Sequence, residues 1–391
     1  MTLQEICELI VDCPHSTAKD EGNGYPLIRT PNIGKGRLIL EGVHRVSKDT
    51  YDKRNARAIP KENDIIFARE APAGNAALIR SGQEVCLGQR TVLIRPDSQK
   101  VSPEFLVYYL LAPQQQYELL GTANGATVAH VNIPVIRNLT VDLPDRDTQD
   151  KIANILSSYD DLIENNQKQI KLLEEAAQRL YKEWFVDLRF PESEDVEIID
   201  GVPEGWKTST LGSVCKLRKE SLKPEQIPSG LPYIGLEHIP RKDICLSTWG
   251  DSSDVNSSKY KYQEKDILFG KIRPYFHKVG FALNSGITST DTIVILPQEA
   301  LWGYILMTVS SEAFVNYTYQ NCKEGAKMPR ADWKQMQQYS ILIPPSEIGN
   351  EFEKFLHMVT DRIKNLAFQN IKLTEARDRL LPKLMSGEIE V

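Results

Sequence analysis

No stretch of this chain approaches the roughly 18 consecutive apolar residues that a membrane span needs. Its opening, Met1-Thr2-Leu3-Gln4-Glu5, lacks the basic head and apolar run of a secretory signal. A cytoplasmic protein with no membrane partner is the expectation. Cysteine is sparse: six residues in 391, none in a C-x-x-C pair, with Cys13-Pro14-His15 the nearest approach of a thiol to an imidazole. That spacing predicts reduced, unmetallated thiols and no metal site.

Signatures of catalysis are missing as well. There is no Walker A sequence, no G-x-S-x-G and no H-E-x-x-H. A nucleic-acid methyltransferase needs a glycine-rich strand-to-helix turn for its cofactor and an Asn/Asp-Pro-Pro-aromatic loop for the flipped base. Gly22-Asn23-Gly24 and Gly34-Lys35-Gly36 lack the helical continuation, and Pro344-Pro345 runs into Ser346. Asp332-Trp333-Lys334 has the Asp-x-Lys spacing of a nuclease motif, but no Pro-Asp pair precedes it in its repeat. No catalytic residue and no cofactor of its own are expected in the chain.

What is present is ordinary in bulk and unusual in order. A hydrophobic share of 41% and a charged share of 26% place the chain among globular proteins without long disordered tracts. It is also written twice. Asp64-Ile65-Ile66-Phe67 returns as Asp266-Ile267-Leu268-Phe269, and Asn124-Gly125-Ala126 returns as Glu324-Gly325-Ala326. Leu143-Pro144 matches Ile343-Pro344, Pro26-Leu27-Ile28 matches Pro232-Tyr233-Ile234, and Thr2-Leu3 matches Thr210-Leu211. Two globular units are expected over 1–144 and 206–344. Each is followed by a helix-patterned segment, 145–190 and 345–391, and 191–205 reads as an acidic, proline-containing linker. Thr91–Ile94 and Thr292–Ile295 read as strands, and Pro103–Leu110 as a helix opening after serine.

Both helical segments carry a heptad seam. In the first it runs Ile152, Leu156, Tyr159, Ile163, Asn166, Ile170, Leu173, Ala177, Leu180, Trp184. In the second, 200 residues on, it runs Phe352, Leu356, Val359, Ile363, Leu366, Asn370, Leu373, Arg377, Leu380, Leu384. A parallel pairing in register would bury each seam asparagine against aliphatic carbon, which costs free energy. An antiparallel pairing whose opposed positions sum to 536 puts Asn166 against Asn370 and matches every seam position to another. Asn166 and Asn370 are therefore the expected register pair of an antiparallel coiled coil. At 1.5 Å per residue the seam spans roughly 50 Å, which would set the globular units at its two ends.

The net charge of −6 conceals a distribution. Segment 1–144 is neutral, 145–205 carries −9, 206–344 carries +4 and 345–391 carries −1. An acidic helix is a poor surface for DNA and a good one for a protein. The basic residues gather in punctuated loops, the richest being Gly270-Lys271-Ile272-Arg273-Pro274-Tyr275-Phe276-His277-Lys278, where bases and aromatics interleave. A second is Lys323–Arg330, and the matching places in the first repeat hold Arg69, Arg90 and the run Thr127–Asn132. The candidate DNA contacts are thus Lys271, Arg273, His277, Lys278, Lys327 and Arg330 in the second repeat, and Arg69, Arg90, Thr127, His130 and Asn132 in the first.

Tandem globular units, each closed by a Gly-Ala loop, an Ile/Leu-Pro strand end and a long helix, resemble the DNA specificity subunits of type I restriction–modification systems. The residues that carry the likeness are Gly125–Leu156, Gly325–Leu356 and the entry Gly201-Val202-Pro203-Glu204-Gly205-Trp206, and it spans essentially the whole chain. The resemblance implies an α+β architecture: two similar α/β target recognition domains joined by two long helices in an antiparallel coiled coil. It further implies a non-catalytic, sequence-specific DNA-binding subunit that reads a bipartite double-stranded target. Its partners would be two modification subunits, which methylate adenine with S-adenosylmethionine, and the restriction and translocase subunits. The first repeat departs from the pattern by lacking the Gly-Trp entry, so an abbreviated N-terminal anchor is expected. The competing reading is a coiled-coil scaffold with two protein-binding domains and no DNA readout. The recognised bases are not legible, because direct readout depends on side-chain geometry in the groove.

Overall fold

The computed structural model describes residues 1–121, 130–322 and 328–391. The chain divides into two compact units: Met1–Glu164 with Lys372–Val391, and Asn165–Ile371.

The strands of the first unit are β1 (Cys7–Asp12), β2 (Tyr25–Ile28), β3 (Gly36–Arg37), β4 (His44–Val46), β5 (Ile65–Ala68), β6 (Ala76–Leu78), β7 (Cys86–Leu87) and β8 (Thr91–Pro96). Its helices are α1 (Lys48–Arg54), α2 (Pro103–Leu111), α3 (Pro113–Gly121), α4 (Ile133–Arg137) and the N-terminal part of α5 (Arg146–Tyr181). A five-stranded sheet is ordered β1-β8-β5-β6-β3, antiparallel except at its β6–β3 edge, and a smaller sheet is ordered β4-β2-β7. The central strand β5 is buried at every position, as an uninterrupted β-branched and aromatic run requires.

The second unit repeats this plan. After the short hairpin β9 (Ile198–Ile199) and β10 (Val202–Pro203) come β11 (Lys207–Thr210), α6 (Leu211–Val214), β12 (Cys215–Leu217), β13 (Ser221–Leu222), β14 (Pro232–Ile234), β15 (Cys245–Leu246), β16 (Gly250–Asp251) and β17 (Lys259–Tyr262). There follow β18 (Ile267–Gly270), β19 (Val279–Ala282), β20 (Gly286–Thr288), β21 (Thr292–Pro297), α7 (Trp302–Val309), α8 (Glu312–Gln320), α9 (Trp333–Met336), β22 (Ser340–Ile343) and α10 (Ser346–Met385). The main sheet is ordered β12-β21-β18-β19-β15, the first unit's order strand for strand, again with a parallel edge pair. Its second sheet, β13-β17-β20-β14-β16, gains two strands over its counterpart.

The repeated aspartates have a structural cause. Asp64 accepts from Arg95 Nε and from Lys61 N, both within 3 Å, and Asp266 accepts from Arg218 Nε and Gln263 N at 2.7 Å. Each one clamps the turn that launches the central strand. The N-terminal departure is also explained. In the second unit β11 pairs with β22 over four residues, whereas in the first the same contact is a single bridge, Thr2 to Thr140, backed by Val141 N to Met1 O.

The long helices run antiparallel in each unit. In the first, Ile152 and Leu156 share a core with Leu384, against which Leu380 and Leu381 pack. In the second, Trp184 meets Phe352 at a ring-centroid distance of 5.9 Å, and Asn166 Nδ2 donates to Asn370 Oδ1 at 3.0 Å. No seam residue of either helix is exposed. The seam's arginine, Arg377, binds Asp160 at 2.5 Å inside the first unit, and Asp160 also accepts from the Tyr108 hydroxyl at 2.6 Å. Helix side chains likewise cap the globular elements: Gln149 accepts from Ser102 N ahead of α2, and Glu353 accepts from Gly303 N and Tyr304 N at the start of α7. Burial raises the Glu353 carboxyl above its ordinary range despite those two donors. The stretch 191–205 holds the β9–β10 hairpin, with Ile198 and Ile199 exposed.

Candidate nucleic-acid interface

Three loops meet at one end of each main sheet. In the first unit, Arg69 follows β5, and its N–H donates to Arg90 O at 2.9 Å. Val131 N donates to Arg69 O at 3.0 Å, and Arg69 Nε returns a bond to Val131 O at 2.9 Å. In the second unit, Lys271 N donates to Asp291 O and Ala331 N to Lys271 O, both at 2.8 Å. The places that the repeat marked as polar or basic are therefore one place in space, tied by the same backbone bonds in both units.

A chain of charge runs outward through the first cluster. Arg69 holds both oxygens of Asp12 at 3.0 Å, and its other terminal nitrogen lies 2.9 Å from His130 Nε2. A guanidinium can only donate, so Nε2 accepts, and the ring proton sits on Nδ1, facing Glu70. Glu70 also holds Arg90 at 2.8 Å, while His15 meets Asp12 at 3.0 Å. Exposure rises along the chain from 10% for Arg69 through 21% for Glu70 to 51% for Arg90. Asn132 is exposed at the start of α4 and makes no cap bond with its side chain.

The second cluster is built differently on the same frame. Arg330 pairs with Asp291 at 2.8 Å and is exposed. Arg273 N donates to Pro329 O at 2.8 Å, and the Arg273 guanidinium lies 5.7 Å from the Phe276 ring centroid. Lys271 Nζ donates to Thr290 O at 2.6 Å, and Lys278 Nζ donates to Leu236 O. Burial lowers both ammonium groups below the usual lysine range. His277 is buried, donates from Nε2 to Ser310 O at 2.7 Å, and is held below the ordinary histidine range by that burial.

The expected contacts thus divide. Arg90, His130, Asn132, Arg273 and Arg330 reach the surface of the clusters. Arg69 is buried with its guanidinium engaged, His277 is buried with Nε2 on Ser310 O, and Lys271 and Lys278 each give one N–H to a backbone carbonyl. These four side chains tie the loops together. Thr127 and Lys327 lie outside the described residues. Sequence reasoning missed Asp12, Glu70, Asp291 and Arg241; Glu70 adjoins Arg69, but nothing in the sequence ties Asp12 or Asp291 to a loop end far along the chain. Asp332, met above in a nuclease-like spacing, caps α9 by accepting from Lys334 N at 3.0 Å.

No group of three or more His, Cys, Asp or Glu residues suited to a metal occurs among the described residues. All six cysteines are unpaired, and burial pushes the Cys7 and Cys215 thiols up to about 12. Among the described residues no helix is long and apolar enough to cross a membrane.

A family model described as the type I restriction modification DNA specificity domain matches twice, at residues 1–175 and 203–375. Among curated relatives, the type I restriction enzyme MjaIX specificity subunit of Methanocaldococcus jannaschii is 27% identical over 97% of this chain and 87% of its own length. The HindI specificity subunit of Haemophilus influenzae is 22% identical over 94% of this chain and 95% of its own. Among solved structures, the S subunit of a type I restriction–modification system from M. genitalium shares the fold with a TM-score of 0.58. It is 15% identical and covers 98% of this chain and 95% of that one.

Proposed function

This chain belongs to the type I restriction–modification DNA specificity family, and we propose that its two loop clusters each read one half of a bipartite double-stranded DNA target. In this reading the chain performs no chemistry. It directs adenine methylation by two modification subunits that bring S-adenosylmethionine, and restriction by nuclease and translocase subunits. The globular units, taken as 1–144 and 206–344, are the target recognition domains, and the helices of 145–190 and 345–391 are the spacer and the docking surface for the modification subunits. The setting is the cytoplasm.

One observation carries the proposal: the same backbone-tied cluster stands at the same end of the same sheet in both units, yet displays different side chains. A common frame with divergent tips suits two readers of different sequences better than two copies of one protein-binding surface. Arg90, His130 and Asn132 face one half-site, Arg273 and Arg330 the other, while Arg69, Lys271, His277 and Lys278 hold the loops. Thr127 and Lys327 complete the two sets of contacts.

Co-expression with the modification subunits, followed by genome-wide mapping of methylated adenine, tests this reading. A split motif is the expected result. Replacing residues 206–344 with those of a relative should then change one half of that motif only. A change in both halves, or salt-independent DNA binding, would overturn separate readout.

A further inference from the structure

The loop Arg273–His277 is built more stiffly than its length requires. Arg273 and His277 both sit in the left-handed region, at φ 51° and 53°, on either side of a single 3-10 turn, Pro274–Phe276. Each such conformation is unfavourable for a residue with a Cβ. It persists here because the backbone is fixed from four directions. Arg273 N is held by Pro329 O, His277 N by Pro274 O, His277 O by Lys242 N, and the His277 ring by Ser310 O.

That frame presents aromatic surface to solvent. Tyr275 is 47% exposed, and Tyr319 on α8 is 46% exposed, with ring centroids 5.3 Å apart at 79°. Beside them the Arg241 guanidinium lies 4.1 Å from the Phe276 ring centroid, and Arg273 lies 5.7 Å from it. Two exposed rings and two guanidinium groups on a pre-set backbone form a surface that stacks on flat, electron-rich faces and holds adjacent anions. In the first unit the position 202 residues before Tyr275 is Ala73, so the exposed Tyr117 of α3, 202 before Tyr319, does not recur as half of a ring pair.

Resting on the DNA reading above, we propose that Tyr275 and Tyr319 form a nucleobase-stacking platform, with Arg241 and Arg273 on the flanking phosphates. The half-site read by the second unit is bound with one base step opened, and the half-site read by the first is not. Opening a step costs base stacking, which the rigid platform replaces without ordering loops at the moment of binding.

The test places 2-aminopurine at successive positions of the mapped target, away from the methylated adenines, and titrates it with the complex of this chain and its modification subunits. Emission should change at one or two adjacent positions within the second unit's half-site and stay flat across the first unit's half-site. Tyr275→Ala should abolish that change and weaken binding by roughly 5- to 150-fold, the range for loss of one stacked base. Tyr275→Trp should keep both, which also shows that the loop still folds. Wild-type binding with flat emission throughout, or undiminished affinity in Tyr275→Ala and Tyr319→Ala, would overturn the platform and leave the DNA reading standing. Failure of the wild-type complex to bind any DNA would remove both.

Discussion

Replacing one seam asparagine should cost more than replacing both. Asn166 is 7% exposed, and its Nδ2 has one good acceptor, Asn370 Oδ1 at 3.0 Å, with Gln369 Oε1 at the limit of 3.5 Å. In Asn370→Leu the Asn166 amide stays buried and loses that acceptor, a penalty of about 1–3 kcal/mol. The new leucine returns part of it through contact with the apolar seam. In the double variant Asn166→Leu/Asn370→Leu no polar group is stranded, and two leucines meet where two amides met. Its stability should equal or exceed that of the wild type. The coupling in the double-mutant cycle should therefore reach about 1 kcal/mol or more. All five tryptophans lie within Asn165–Ile371, so urea denaturation followed by tryptophan emission reports the unit that contains the pair. Additivity of the two single changes within about 0.5 kcal/mol would refute the reasoning. It would mean that water reaches the amides and that they do not depend on each other.

Arg377→Met should destabilise the first unit by about 3–5 kcal/mol, because it leaves the nearly inaccessible Asp160 carboxylate without its cation. Adding Asp160→Leu and Tyr108→Phe should recover most of that, read by hydrogen exchange in 103–111 and 376–385. Burial depresses the His277 imidazole, so the unfolded chain takes up that proton first. Stability of the second unit should thus be full above pH of about 6.5 and decline as pH falls below it; His277→Gln should flatten that decline, and an unchanged slope would count against the assignment. Arg90→Ala and Arg330→Ala should each lower the salt slope of DNA binding by roughly one with little change in unfolding. Arg69→Ala should instead loosen the first unit measurably, since it frees Asp12 and His130 together.

The repeat, the heptad seam and the antiparallel sense were legible because each rests on spacing. Regular spacing survives folding as a shared face, and a pair of asparagines that must find each other fixes direction. The loop clusters were legible as positions but not as chemistry. Nothing near Arg69 in the sequence says that Asp12 and Val131 will consume its donors, and the basic run 271–278 looks uniformly available until Thr290, Leu236 and Ser310 supply carbonyls to three of its side chains. Arg377 was placed on the apolar seam, and its reason lay in Asp160 and Tyr108, a pairing that no local pattern encodes. The second sheet's extra strands, the two-residue edge β13 and its neighbour β17, are short, and their pairing is set by tertiary contact.

The first unit is discontinuous: Lys372–Val391 completes a core that Met1–Glu164 begins, with Leu384 buried in it. A ribosome therefore releases the N-terminal strands and α2 long before the helix that covers them exists. Joining the two pieces closes a loop of about 200 residues, an entropic cost of about 5 kcal/mol if the intervening chain were unstructured. Prior folding of Asn165–Ile371 would bring the two ends of its insertion, α5 and α10, side by side and remove most of that cost. Maturation should then run inside out, with the second unit folding first and acting as the staple for the first. A chain cut short near residue 371 would strand an apolar face on α2 and α5, so the first unit's core waits on Lys372–Val391.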